Sequence, residues 1–113
     1  MQHYDSQDSK FSRNLRKGAP DDFAAYVQLD QQAFAEDGHE LSLKTRELIA
    51  LGVAVTTQCP HCIEKHSRAA AKAGATEAEL SEAIMVAAAI GAGSAVTHGW
   101  MTMKYFQDER GAD

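Results

Sequence analysis

A chain of 113 residues, 44% apolar and 24% charged, has the composition of one globular domain and not of a disordered segment. Eleven basic against sixteen acidic side chains leave a formal charge of −5, which excludes a nucleic-acid binder whose affinity rests on phosphate neutralisation. Twenty alanines, two prolines and only fifteen Val, Ile and Thr residues favour helix over sheet.

Residues 1–18 read as a polar arm, ahead of a helical domain over 19–113. Lys10, Arg13, Arg16 and Lys17 cluster there, and Phe11 and Leu15 are spaced to anchor a short helical turn. A solvated arm with an apolar anchor is expected rather than an anion site. Met1 to Lys10 lacks the apolar core of a secretory signal, so a reducing cytoplasm is the expected compartment.

A first helix is expected from Pro20, with Asp21 and Asp22 at its positive end and Phe23, Val27 and Phe34 near one face. Gly38 is its expected stop. Ser42 reads as the N-cap of a second helix over Leu43 to Thr57. Its stretch Leu-Ile-Ala-Leu-Gly-Val-Ala-Val, residues 48–55, is apolar on every face and predicts a central position. Glu47, at the mouth of that stretch, is either an exposed first-turn charge or a partly buried functional group.

A third helix is expected at Cys59-Pro60-His61-Cys62, with Cys59 as cap and Pro60 as first helical residue. Cys62, His66, Ala69, Ala70 and Ala73 share one stripe, Glu64, Arg68 and Lys72 the opposite one, and Gly74 terminates it. Thr76-Glu-Ala-Glu79 is a capping box opening a last helix toward Phe106, with a bend expected at Gly91 or Gly93.

From Ala83 to Met103 no residue carries a formal charge, a length that can span a bilayer. The stretch is mostly Ala, Gly, Ser and Thr and contains His98, so the expectation is a buried helix pressed on other helices or other subunits, not a membrane span. His98 reads as a core or interface histidine, and Trp100, Met101, Met103, Tyr105 and Phe106 as core or subunit contacts. His3 and His39 read as surface residues. Gly91-Ala-Gly93-Ser-Ala-Val96 follows no strand and lacks a third glycine, so it is not a nucleotide loop. The fold class is all-α, a compact bundle of four to five helices.

The chemistry concentrates in Cys59, His61, Cys62 and His66. A helix start places the two cysteines about one turn apart, within reach of a reversible disulfide. The helix N-terminus stabilises a thiolate, and His66 at i+4 from Cys62 supplies a base beside it. Glu47 is the carboxylate that can orient His66 or relay its proton. Two other readings stay open: an inert buried pair, and a zinc site built from Cys59, Cys62 and His66 with Glu47 or His61. Ile63 after the second cysteine excludes c-type haem attachment, and the lack of a βαβ pattern argues against a thioredoxin fold.

Glu47, eleven intervening residues, then Cys59-x-His61-Cys62-x-x-x-His66 resembles the AhpD-like alkylhydroperoxidase branch of the carboxymuconolactone decarboxylase superfamily. The flanks Leu41-Ser-Leu-Lys-Thr-Arg-Glu-Leu-Ile49 and Ala73-Gly-Ala-Thr-Glu-Ala-Glu-Leu80 are similar too, so the resemblance spans about residues 20–107. It implies reduction of hydroperoxides through a cysteine–disulfide cycle, with Cys62 attacking, Cys59 resolving, and His66 and Glu47 relaying protons. The opposite order, Cys59 attacking, is chemically reasonable because the cap position also favours a thiolate. His61 matches a further family histidine acting on local electrostatics or access. The resemblance also implies a homo-oligomer, hexamer first and trimer second. It further implies an external dithiol reductant, in parts of the family a lipoyl-bearing protein. No bound organic cofactor or metal is expected. The decarboxylase branch lacks the cysteine pair, which argues against lactone decarboxylation.

Overall fold

A computed structural model describes residues 5–111 of the chain, and their regular structure is entirely helical. A 3-10 helix over Ser6–Phe11 leads into α1 (Ser12–Gly18), α2 (Pro20–Ala33), α3 (Leu43–Thr57), α4 (Pro60–Lys72) and α5 (Glu77–Arg110). The all-α expectation holds with five α-helices. Met1 to Tyr4, and with them His3, lie outside the described residues, as do Ala112 and Asp113.

The helix ends follow local chemistry. Pro20 occupies the first turn of α2, where its missing N–H costs nothing. Ser42 Oγ accepts from the Thr45 N–H at 3.1 Å and starts α3. Thr76 and Glu79 form the reciprocal capping box of α5. After α4, Gly74 adopts φ +89°, donates to the Ala71 carbonyl, and lets Ala75 reach back to Ala70. That is a Schellman stop, which needs the left-handed conformation glycine supplies. α2 ends at Ala33, five residues before the expected stop, while Gly38 (φ +80°) turns the loop further on.

α3 packs against both α4 and α5, and α1 packs against α2. Arg16 places its guanidinium over the Phe23 ring at 5.2 Å, so part of the basic cluster ties α1 to α2. A Cβ added at Gly52 of α3 would stand 3.8 Å from Ala87 Cβ, so small residues allow close approach of α3 and α5. The start of these two helices is also joined by Lys44 and Glu79 at 2.9 Å.

The bundle is open rather than compact. Its radius of gyration is 19.2 Å, against about 13 Å for a compact chain of this length. α5 runs unbroken through Gly91 and Gly93, so the expected bend is absent. Its 34 residues extend about 51 Å and none is buried. The reading of a buried α5 therefore fails within a single chain: Ile90, Val96, Trp100 and Met103 are all exposed. His98 is exposed as well, its Nδ1 donating to the Ser94 carbonyl at 3.0 Å. By length and apolar composition α5 also passes the test for a bilayer-crossing helix. α3 is central in its packing, yet Ile49 and Val53 face outward, because only two of its sides meet other helices.

Candidate active site

The most buried part of the molecule is partly polar. Among the described residues the fully buried hydrophobic side chains are Leu51, Ala54 and Ala70, and beside them lie Glu47, 4% exposed, and His66, 8% exposed. Buried polar groups need partners, and these two satisfy each other: His66 Nδ1 and Glu47 Oε1 are 2.6 Å apart. The carboxylate on Nδ1 orients the ring and leaves Nε2 as the nitrogen for proton exchange. Phe34 lies over the imidazole, ring centroids 4.6 Å apart and planes tilted by 34°.

Cys59 and Cys62 form a disulfide, Cα atoms 5.3 Å apart, at the N-terminus of α4. Cys59 is the N-cap: its Sγ accepts from the Cys62 N–H at 3.3 Å. Cys62 and His66 stand four residues apart on one face of α4, so the sulfur pair and the Glu47–His66 pair share a short stretch of helix. Gln58, between α3 and the cysteines, holds φ +58°, a left-handed conformation uncommon for a residue with a side chain. It turns the chain so that the Cys59 N–H reaches the Ala54 carbonyl at 3.1 Å. His61 is exposed and, with Lys65, lines a cleft of about 1090 Å³ beside α2.

All five expected site residues thus fall on the α3–α4 pair, four as two bonded pairs and His61 on the adjoining cleft. Glu47 is the buried group, not the exposed first-turn charge. Two supporting residues were not singled out for the site from the sequence. Phe34 covers His66. Arg46 donates through Nη1 to the Ala33 carbonyl at 2.8 Å and through Nε to the Leu41 carbonyl at 3.1 Å. It thereby pins both ends of the loop that carries Phe34. Its Nη2 is buried without a hydrogen-bond partner among the described residues. No three His, Cys, Asp or Glu residues among those described are grouped as a metal ion would need. At the start of α3, the hydrogen bond from Lys44, then the one from the Thr76 N–H, hold the Glu79 carboxyl below its ordinary range.

The chain is thus a helical bundle with a disulfide at a helix start and a buried carboxylate–histidine pair one turn on. The carboxymuconolactone decarboxylase family model matches residues 20–103, and the chain belongs to that family. It is 40% identical over 88 residues to the "uncharacterized protein 4 in cox locus" of Paracoccus denitrificans, covering 78% of each chain. It is 50% identical over 56 residues to an uncharacterized protein of Haemophilus influenzae, half of this chain and 48% of that one. Among solved structures, apo-lpg0406 of Legionella pneumophila, a carboxymuconolactone decarboxylase family protein, superposes with a TM-score of 0.61 at 34% identity. That match covers 91% of this chain and 87% of the other.

Proposed function

We propose that the protein is a dithiol peroxidase of the AhpD-like branch, reducing hydroperoxides through Cys59 and Cys62. The observation that supports this most is the pairing of a disulfide-forming Cys59–Cys62 with a buried Glu47–His66 hydrogen bond one helical turn away. In the reduced enzyme the N-terminus of α4 favours a Cys62 thiolate, and His66 takes its proton. The thiolate attacks the terminal peroxide oxygen. An S–O bond forms, the O–O bond breaks, and the leaving oxygen receives the proton from His66 and departs as alcohol. Glu47 stabilises the imidazolium between these two transfers. Cys62 is then a sulfenic acid. The Cys59 thiol attacks its sulfur, the S–S bond forms, and the hydroxyl leaves as water with the Cys59 proton. An external dithiol, for which a lipoyl-bearing protein is suited, returns both thiols by exchange and becomes a disulfide itself. His61 sits at the approach to this chemistry and tunes access and local charge.

The same proposal makes the protein a cytoplasmic homo-oligomer, hexamer first and trimer second, in which neighbouring subunits cover α5. What supports it is a 34-residue helix with exposed apolar side chains and no residue buried within its own chain. Sedimentation as a monomer at micromolar concentration would overturn that part.

The decisive experiment is turnover of cumene hydroperoxide with dihydrolipoamide by the wild type, Cys62→Ser and Cys59→Ser. Saturable turnover is expected in the wild type only, with one sulfenic acid trapped by dimedone in Cys59→Ser. Trapping in Cys62→Ser instead would reverse the two cysteine roles. Wild-type thiols that stay reduced under peroxide would sink the peroxidase assignment.

A further inference from the structure

Two consecutive residues of α3 act on His66 from two sides. Glu47 Oε1 meets its Nδ1 at 2.6 Å and fixes one edge of the ring. Arg46 acts at one remove, through the loop that carries Phe34. Phe34 is the C-cap of α2, with φ −116° and ψ 14°, so it stands where the chain leaves the helix and turns toward α3. Its ring lies on the face of the imidazole, centroids 4.6 Å apart and planes tilted by 34°. Lys65 adds an ion pair from α4 to Asp30 of α2 at 3.4 Å, but Lys65 is half exposed and a solvated pair of this kind holds little. The charge-assisted bonds from Arg46 to the Ala33 and Leu41 carbonyls, 2.8 and 3.1 Å, are the firmer tie.

A hydrogen bond at one edge leaves a histidine ring a soft motion. The ring can still tilt about the line through Nδ1 and Oε1, because the outer torsion of an imidazole is broad. Tilting swings Nε2, the nitrogen left for proton exchange. An aromatic ring packed on the face opposes that tilt. We propose that Phe34 is a positioning residue of this site: it fixes the plane of the His66 imidazole so that Nε2 keeps the direction needed to take the Cys62 proton, and Arg46 holds Phe34 in place. The proposal rests on the Cys62–His66 proton transfer of the reading above, and not on the peroxide. In that transfer the S–H bond breaks, the proton moves to Nε2, and the electron pair stays on sulfur as thiolate. Phe34 makes and breaks no bond and acts only through the ring it covers. A general base works only within hydrogen-bond reach of its proton, so a small misdirection is costly.

The test uses reduced full-length protein carrying Cys59→Ser, which leaves Cys62 as its one thiol. Phe34 is kept or changed by Phe34→Ala, Phe34→Leu or Phe34→Tyr. Tyrosine retains a flat ring, and leucine retains apolar volume without one. The first readout is alkylation of Cys62 by iodoacetamide at neutral pH, in which the thiolate displaces iodide. Phe34→Ala and Phe34→Leu are expected to slow it about tenfold, and Phe34→Tyr to stay within about twofold of the parent. The second readout is the nitrogen NMR signature of the His66 ring. One tautomer, with the proton on Nδ1, is expected in the parent and in Phe34→Tyr, and averaged tautomers in the other two. Leucine equal to phenylalanine in both readouts would reduce Phe34 to packing and overturn the proposal. An unchanged rate in Phe34→Ala would do the same. Should Phe34→Ala fail to fold, the comparison of Phe34→Leu with Phe34→Tyr decides. Arg46→Ala, with Phe34 intact, is expected to slow alkylation as Phe34→Leu does, and a parental rate there would overturn the part given to Arg46. Neither readout involves a peroxide, so both decide the role of Phe34 whether or not the wild type turns over hydroperoxide.

Discussion

The α3–α4 pair and α5 invert the usual division of labour between inside and outside. In the pair, a carboxylate and an imidazole are buried beside Leu51, Ala54 and Ala70. In α5, Val96, Trp100 and Met103 lie in water. Glu47 and His66 satisfy each other within one chain. α5 has no such internal solution for its apolar groups, and the Gly52–Ala87 approach uses only one side of it. The Glu47–His66 and Cys59–Cys62 pairs thus form within one chain, while α5 leaves its apolar side chains uncovered by that chain.

The strongest way to break this contrast is at Glu47. Glu47→Ala leaves His66 Nδ1 buried without its partner, so a loss of about 1–3 kcal/mol is expected in urea unfolding. Peroxidase kcat/KM should drop about 100-fold or more. Glu47→Gln keeps a hydrogen-bonding oxygen and should restore most of the stability but little of the activity. Equal activity in wild type and Glu47→Gln would remove the relay from the mechanism.

Trp100→Glu tests the other side. Trp100 is 68% exposed in the chain, so the charge should cost the monomer little and should dissociate the oligomer in sedimentation. An unchanged oligomer would place the subunit contact elsewhere. Arg46→Ala removes the two bonds that hold the loop ahead of α3, with an expected loss of about 1–2 kcal/mol. The His66 ring should lose its Phe34 cover, seen as a shift of its imidazole NMR signals. Gly52→Ala should stabilise by about 0.5–1 kcal/mol through helix propensity. The added methyl meets Ala87 at ordinary contact distance, 3.8 Å. The smallest effect concerns pH. Glu79 is held below its ordinary 4.5 by Lys44 and the Thr76 N–H. A lowered carboxylate stabilises the fold above its unfolded value, and that contribution is lost as pH falls through the folded one. Lys44→Met should flatten the acid limb of the stability profile slightly, by removing a small contribution that is present near neutrality and already absent at low pH.

The boundaries of α3 and α4 and the start of α5 were legible because capping is local, whereas Gly38 overshot the end of α2. Ser42, Pro60, Thr76 with Glu79, and Gly74 each act within a few residues of the end they mark. Glu47 and His66 were legible as candidates through their types and spacing, Glu47 as the carboxylate able to orient His66, and the structure joins them across 19 positions. Phe34 and Arg46 were not legible as site supports. Their roles depend on how residues 34–42 return to α3, which no periodic pattern encodes. What covers α5 was left open by the sequence for a different reason. An uncharged run says that a surface is to be covered, not whether its own chain covers it.

The link between α3 and α4 is only Gln58 and Cys59. Closing so short a connection costs little chain entropy, and contacts between such neighbours form early in folding. The hairpin that brings Glu47 to His66 and sets Cys59 beside Cys62 is therefore expected to assemble before distant partners meet. A newly made chain would then carry Cys59 and Cys62, already seated side by side, through the interval before α5 packs on α3.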